Sequence, residues 1–271
     1  VSILAQNHPG RGLNIINFDD GHGSVYALAF PVMQRYKLRG QIAVVPDLVG
    51  TPGMMTVAQL KDLYDNYGWI MVGHGKDHTD FAGRTRVAQA ADMQYCHDWL
   101  EGNGMPRGAH HMVWPHGSYD ANTLLAMNDV GIVTGRHTVL AACSGHVADP
   151  RQLGCRYVID QSDSISGGSF YSYAASAVGG SSMWYFCFHQ FNTVAAGGES
   201  CLIDHFEAFA RYCYEADLEC CLVDEWFANQ SGPYTLPDDL TRGLAAGHPP
   251  GMFFPTKYGA AWAKGPYVGV V

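Results

Sequence analysis

Charge is in short supply in this chain. Only 15% of its 271 residues are Asp, Glu, Lys or Arg, and 16 basic residues face 25 acidic ones, for a formal net charge of −9. A surface of that sign argues against a nucleic-acid backbone or an anionic membrane as partner and is compatible with a neutral or amidated polymer. Long apolar runs are also missing, and no stretch reaches the roughly 20 residues needed to cross a bilayer. The opening Val1-Ser2-Ile3-Leu4-Ala5 is too short for the apolar part of a secretion signal and has no basic lead. Because the chain starts on Val, it reads as a processed or excised piece. The eight cysteines (Cys96, Cys143, Cys155, Cys187, Cys201, Cys213, Cys220 and Cys221) show neither Cys-x-x-Cys nor zinc-finger spacing. Their even number permits disulfides, but a chain of this length does not need them. Cys187, inside Trp184-Tyr185-Phe186-Cys187-Phe188, reads as a buried free thiol. No internal repeat or low-complexity tract is present.

What is abundant is core-forming and turn-forming material: 47% hydrophobic residues and 32 glycines. That balance predicts a compact, loop-rich enzyme-sized unit rather than a disordered chain. Strand-like runs at 13–18, 41–46, 69–73, 109–114, 131–134, 155–159, 183–188 and 220–223 alternate with helical patterns near 24–36, 56–67, 84–101, 119–129 and 202–216. The last pattern carries Phe206, Phe209, Ala210 and Cys213 on one stripe. Such alternation predicts βα units around a parallel sheet, and seven or eight strands favour a closed shape. The fold expected is α/β, a distorted (β/α) barrel of about seven parallel strands. Residues 162–182 read as loop mixed with helix. From Ser231 onward Gly and Pro rise and the βα rhythm stops, so residues 1–230 are expected to form the main domain and 231–271 an extension packed on it or leading out of it.

Polar residues fall at the ends of the apolar runs. Asp19-Asp20-Gly21 follows the first strand, His74-Gly75-Lys76-Asp77-His78 the third, and Trp114-Pro115-His116-Gly117-Ser118-Tyr119-Asp120 the fourth; His189 closes the run ending at Phe188. In a parallel barrel these ends share one face, where active sites form. Adjacent carboxylates raise each other's pKa, and a metal ion or a catalytic task is the usual reason to keep them together. Each element has a plainer reading. An Asp caps the following helix, His74 and His78 are solvated loop residues, the Trp114–Asp120 stretch is an ordinary capped turn, and His189 is a hydrogen-bonded core residue. Taken jointly, the four are harder to dismiss.

The order and spacing of these motifs resemble the polysaccharide deacetylases, the NodB-homology group also called carbohydrate esterase family four. Asn17-Phe18-Asp19-Asp20-Gly21 is similar to the family's Thr-Phe-Asp-Asp-Gly. His74 to His78 is similar to its His-Ser/Thr-x-x-His, with Gly75 in place of the hydroxyl residue. Trp114-Pro115-His116-Gly117-Ser118-Tyr119 is similar to a third motif ending Tyr-Pro-Tyr-Gly-x-Tyr, and Trp184–His189 to the final strand ending in His. The likeness covers roughly residues 13–227.

The resemblance implies that Asp20, His74 and His78 hold one divalent metal, zinc first and cobalt or nickel next. It makes Asp19 the general base, His189 the general acid, and the backbone N–H of His116 an oxyanion donor. It assigns Arg156 to orient Asp19, and Trp114, Pro115, His116 and Tyr119 to the substrate wall, with Trp114 or Tyr119 offering a face to a sugar ring. The chain departs from the family at Val113, where an Arg is common, and at His116, which replaces a Tyr. The acid that orients the last His has no clear match, Asp160 and Asp163 being the candidates. The implied reaction is removal of N- or O-acetyl groups from an acetylated polysaccharide or oligosaccharide. Two other readings stand beside it: a cyclic-amide or formyl hydrolase on the same fold, and a non-enzymatic carbohydrate-binding or receptor-recognition module of a larger surface or virion protein. The expected setting is extracellular, cell-surface or phage-borne rather than cytoplasmic.

Overall fold

The computed structural model describes residues 13–144, 149–158, 170–177, 182–194 and 198–228. Strand β1 (Leu13–Phe18) is the centre of the sheet. It pairs in parallel with β2 (Gln41–Val44), with β8 (Ser182–Phe188) along its whole length, and at its start with β11 (Glu219–Cys220). From β2 the sheet continues in parallel through β3 (Ile70–Gly73), β4 (His111–Val113) and β5 (Thr134–Arg136). Leu153 then bridges Arg136, also in parallel, and β7 (Arg156–Tyr157) pairs with β8. The segment from Leu153 to Tyr157 therefore lies between β5 and β8 and closes the ring. The result is the expected distorted (β/α) barrel with seven parallel members. The short β6 (Cys143–Ser144) adds an antiparallel strand to β8, and β9 (Gln190–Asn192) pairs with β10 (Ser200–Leu202) in a separate two-stranded sheet.

The helices begin and end where their sequence signals sit. Thr56 and Gln59 form a reciprocal capping box at the start of α2 (Val57–Tyr67), which Gly68 ends at φ 68°. Thr85 caps α3 (Arg86–Gly102), and Asp120 caps α4 (Ala121–Val130). The helix after β1 departs from the simple pattern: one π-helical turn, Val25–Ala29, runs into α1 (Phe30–Arg35). Helices α5 (Phe170–Ala177), α6 (Ile203–Glu215) and α7 (Val223–Ala228) complete the set among the described residues. Two expectations shift. The strand placed at 131–134 lies at Thr134–Arg136, and the one placed at 220–223 divides into β11 and the start of α7. The extension expected at 231–271 is outside the described residues.

Alternation along β1 sorts its side chains between two cores. Ile16 and Phe18 face the helices, in a cluster with Trp69, Phe186, Phe188, Phe206 and Phe209. Ile15 faces the barrel interior with Ala43, Ile70, Val72, Val113, Leu153, Cys155, Tyr185 and Cys187. Helix α7 contributes Trp226 and Phe227 to this interior cluster. It is anchored there by charge. Arg107 Nη2 donates to Glu225 Oε1 at 2.8 Å, Arg39 donates to both Glu225 oxygens at 2.7 and 2.9 Å, and Arg107 also pairs with Asp224.

Candidate active site

The β1 residues that point inward stay polar toward the C-terminal end. Asn17 lies inside the barrel and Asp19 follows it, buried, with its backbone N–H held by the Phe188 carbonyl at 2.8 Å. The next residue turns sharply, with Asp20 at φ 68° and Gly21 at φ 81°. This left-handed step sends adjacent carboxylates to different neighbours. Asp20 Oδ1 lies 3.3 Å from His74 Nε2 and 3.2 Å from His78 Nε2, and its Oδ2 lies 3.3 Å from His22 Nε2.

His74 is positioned by the end of β3. Its backbone N–H donates to the Val44 carbonyl, and its Nδ1 meets the Val113 carbonyl at 2.8 Å. Donation from Nδ1–H leaves the Nε2 lone pair toward Asp20, which is how a metal-binding imidazole is usually oriented. Gly75 sits at φ 71°, and a Cβ there would lie 3.0 Å from the Pro115 ring. The left-handed backbone and this close approach account for glycine where the resembled motif has a hydroxyl residue. His78 is also left-handed, at φ 63°, and its ring lies 4.8 Å from that of His74.

Asp19 is embedded in donors. Arg136 Nη2 spans both its oxygens, at 2.6 Å from Oδ1, while Asn17 Nδ2 donates to Oδ1 and the Cys187 thiol to Oδ2 at 3.2 Å. Burial pushes the Asp19 carboxyl up, but Arg136, His74 and His189 outweigh it and hold the pKa at about 2. Burial also raises Asp20, but the facing imidazoles of His22, His74 and His78 bring it far below the usual carboxylate range. The guanidinium on Asp19 is a correction to the sequence reading, which gave this place to Arg156. Arg156 instead donates to the Tyr157 carbonyl and lies over the Tyr173 ring, 5.0 Å from its centroid. The signal for Arg136 was its place at the C-terminal end of a barrel strand; ending that strand at Thr134 hid it. The contacts of Asn17 and Cys187 with Asp19 depend on the same inward alternation and were not anticipated.

His189 is buried, with Nε2 at 3.8 Å from Asp19 Oδ2 and 3.7 Å from Glu199 Oε2. Burial lowers its pKa, and the facing carboxylates of Asp19, Asp20 and Glu199 oppose the shift without cancelling it. Tyr157 packs on its ring at 5.0 Å. Asp160 and Asp163, the candidates to orient His189, lie outside the described residues.

The expected substrate wall divides. Trp114 is wholly buried against Phe81, at a centroid distance of 5.3 Å, so it is a core residue and offers no face to a sugar. Its place in an apolar layer with Met112, Ala126 and Met127 explains the burial. Pro115 is buried too. His116, at φ 55°, is exposed, meets Asp80 Oδ1 at 2.7 Å through Nδ1, and packs against the His78 ring at 4.5 Å. Tyr119 stacks on His137 at 5.6 Å and donates to Gln152 Oε1 at 3.0 Å. His116 and Tyr119 are thus the two wall candidates in contact with solvent.

Asp20, His74 and His78 can each bring one ligand atom within 4.8 Å of the others. Asp20 Oδ1 is buried and accepts no hydrogen bond, although two imidazole nitrogens face it. A buried carboxylate oxygen in that position is costly unless a cation satisfies it. Two nitrogens and one oxygen fit a divalent ion of zinc type with positions left for water and substrate.

Comparison with known proteins agrees with this geometry. Residues 6–135 match the polysaccharide deacetylase family. YxkH of Bacillus subtilis (strain 168), named as a polysaccharide deacetylase, is 25% identical over 144 residues, which cover 53% of this chain and 51% of YxkH. The chain thus spans about half the length of that curated relative. Among solved structures, the Xyl-CE4 domain of a multidomain xylanase from the hindgut metagenome of Trinervitermes trinervoides superposes with a TM-score of 0.54 at 10% identity, over 80% of this chain and 90% of that one. A family 4 carbohydrate esterase from Streptomyces lividans gives 0.53 at 12% identity, over 82% and 98%. These two likenesses speak for the barrel, and the family match covers the first two motifs and the Trp114 turn. Residues 6–135, just under half of the chain, are thus similar to the polysaccharide deacetylase family.

Proposed function

We propose that the domain is a metal-dependent deacetylase that removes N- or O-acetyl groups from a polysaccharide. The observation that carries this reading is the unsatisfied Asp20 Oδ1 facing His74 and His78, beside an Asp19 that Arg136 keeps ionised. Asp20, His74 and His78 would hold the ion, with zinc the first choice for this donor set. When bound, it would supply a Lewis acid that acidifies water and polarises an acyl carbonyl.

The protein's own groups do the rest. Asp19, with a pKa of about 2, is fully ionised at neutral pH and stands ready to take a proton from the attacking water. His189, with Nε2 at 3.8 Å from Asp19 Oδ2, would pass the proton that Asp19 takes from the water on to the departing amine or alcohol. The backbone N–H of His116, in its left-handed turn beside His78, is the second donor to the developing oxyanion; such a donor is typically worth about 3 kcal/mol. His116 and Tyr119, both in contact with solvent, would border the sugar. A surface or virion setting accords with such a substrate.

The purified chain is expected to release acetate from an acetylated glycan, to lose that activity to a chelator, and to regain it with Zn²⁺ or Co²⁺. Asp20→Asn should lose the ion and the activity together. Asp19→Asn should keep the ion and lose turnover by at least about 10²-fold, in line with general-base catalysis. Unchanged turnover in Asp19→Asn would remove it as the base.

A further inference from the structure

At the opposite end of the barrel from Asp20, a second group of side chains repeats the metal-site arrangement. His97 and Glu101 are one turn apart on α3, and His110 immediately precedes β4. Each can bring one ligand atom within 4.8 Å of the other two. The His97 and His110 rings lie 4.7 Å apart at 70°, against 4.8 Å and 69° for His74 and His78. In both sites one carboxylate faces imidazole, here Glu101 Oε1 at 3.7 Å from His97 Nε2.

The outer contacts match as well. His110 Nδ1 meets the Gly131 carbonyl at 2.9 Å, as His74 Nδ1 meets that of Val113. His97 Nδ1 lies 3.1 Å from Asp98 Oδ1, and Gln94 Nε2 donates to the same oxygen at 2.7 Å. Donation from His97 Nδ1 to Asp98 aims the Nε2 lone pair at Glu101. A carboxylate or carbonyl behind each imidazole is the support that metal-binding histidines ordinarily receive. Exposure is graded across the group. His110 is buried, the His97 side chain is 12% exposed and that of Glu101 51% exposed, so an ion can enter from solvent on the Glu101 side.

We propose that His97, Glu101 and His110 form a second divalent-cation site, of zinc type, that fastens the C-terminal end of α3 to the start of β4. Two imidazoles and a carboxylate, with water in the fourth position, satisfy tetrahedral zinc. The ion would bind only the folded chain, because the unfolded chain does not hold His110 beside the α3 pair. It therefore stabilises the fold by mass action. The site lies away from the barrel mouth, and its role is structural.

The test uses the full chain, stripped with a chelator, dialysed and titrated with Zn²⁺ alone. His97→Gln and Glu101→Gln are each expected to weaken one zinc-binding event by about 10-fold or more while the remaining zinc stays bound, read by calorimetry and elemental analysis. Saturating Zn²⁺ should raise the melting temperature of the wild type by about 5 °C more than that of Glu101→Gln. Glu101 is exposed, so its variant reports even if His97→Gln folds poorly. Zinc stoichiometry, affinity and thermal shift unchanged in both variants would overturn the proposal and leave His97 and Glu101 as an ordinary helical ion pair. A loss confined to His97→Gln would overturn the three-ligand assignment.

Discussion

Arg136 and Arg156 differ in what their removal exposes. Arg136 spans both oxygens of a buried carboxylate, so Arg136→Met strands Asp19 in the barrel. Breaking such a pair costs about 3–5 kcal/mol, which a denaturant titration of the variant should show. Arg156→Gln removes a contact with a backbone carbonyl and the face of a ring, and is expected to cost about 1 kcal/mol. Equal losses would contradict the assignment of the guanidinium. A second single-residue effect concerns pH. His111 is buried inside the barrel with Nδ1 at 2.8 Å from Thr134 Oγ1, and burial holds its pKa down at about 3, against 6.5 for a free imidazole. A depressed folded pKa contributes stability that is fully present above pH 6.5. It is lost as pH falls toward about 3, because the unfolded chain takes up the proton first. The ceiling on the slope is about 1.4 kcal/mol per pH unit in that window. His111→Gln should flatten the stability profile between pH 6.5 and 4.5, and parallel profiles for variant and wild type would refute the effect.

Among the elements, helix starts are the most autonomous features of the chain. Thr56 accepts from Gln59 N at 3.2 Å, and the Gln59 side chain returns a bond to the Thr56 backbone N–H at 2.9 Å. Thr56→Ala should destabilise by about 1 kcal/mol in a denaturant titration without altering metal content. Threonine, glutamine and Gly68 mark both ends of that helix in local sequence, and the helix lies close to where periodicity placed it. The end of β5 was less legible. Gly135 interrupts the apolar run, so local pattern ends the strand one residue after Val133. The structure needs the glycine because a Cβ there would lie 2.4 Å from the buried Trp114 ring. Packing from a distant segment thus decided what a local signal presented as a break, and the same packing carried Arg136 into the site.

For the molecule as a whole, the barrel is closed at the mouth by catalytic candidates and at the base by α7. Arg107 holds Asp224 and Glu225, and Arg39 shares Glu225. Burial raises Glu225, but Arg39 and Arg107 bring it to about 2, so both arginines face a carboxylate that stays charged. Arg107→Met leaves that charge short of a partner and loosens the helix that seats Trp226. The expected loss is about 3 kcal/mol or more, shared by the whole cooperative unit and measurable as a fall in the denaturation midpoint. Loss limited to fraying of α7, with an unchanged global midpoint, would show that the base is independent of the ring.

The order of strands, the capped helix starts and the polar residues at strand ends were set by local sequence, because periodicity and capping act over a few residues. The Asp19-Asp20 pair, His74 and His189 were legible as a group since each directly follows an apolar run, and His78 lies four residues after His74. Which guanidinium serves Asp19, which aromatic is core, and where two sets of imidazoles meet a carboxylate were decided only by tertiary structure. Those choices depend on how far the ring closes and which strand ends become neighbours, and no local pattern encodes distances between residues on different elements.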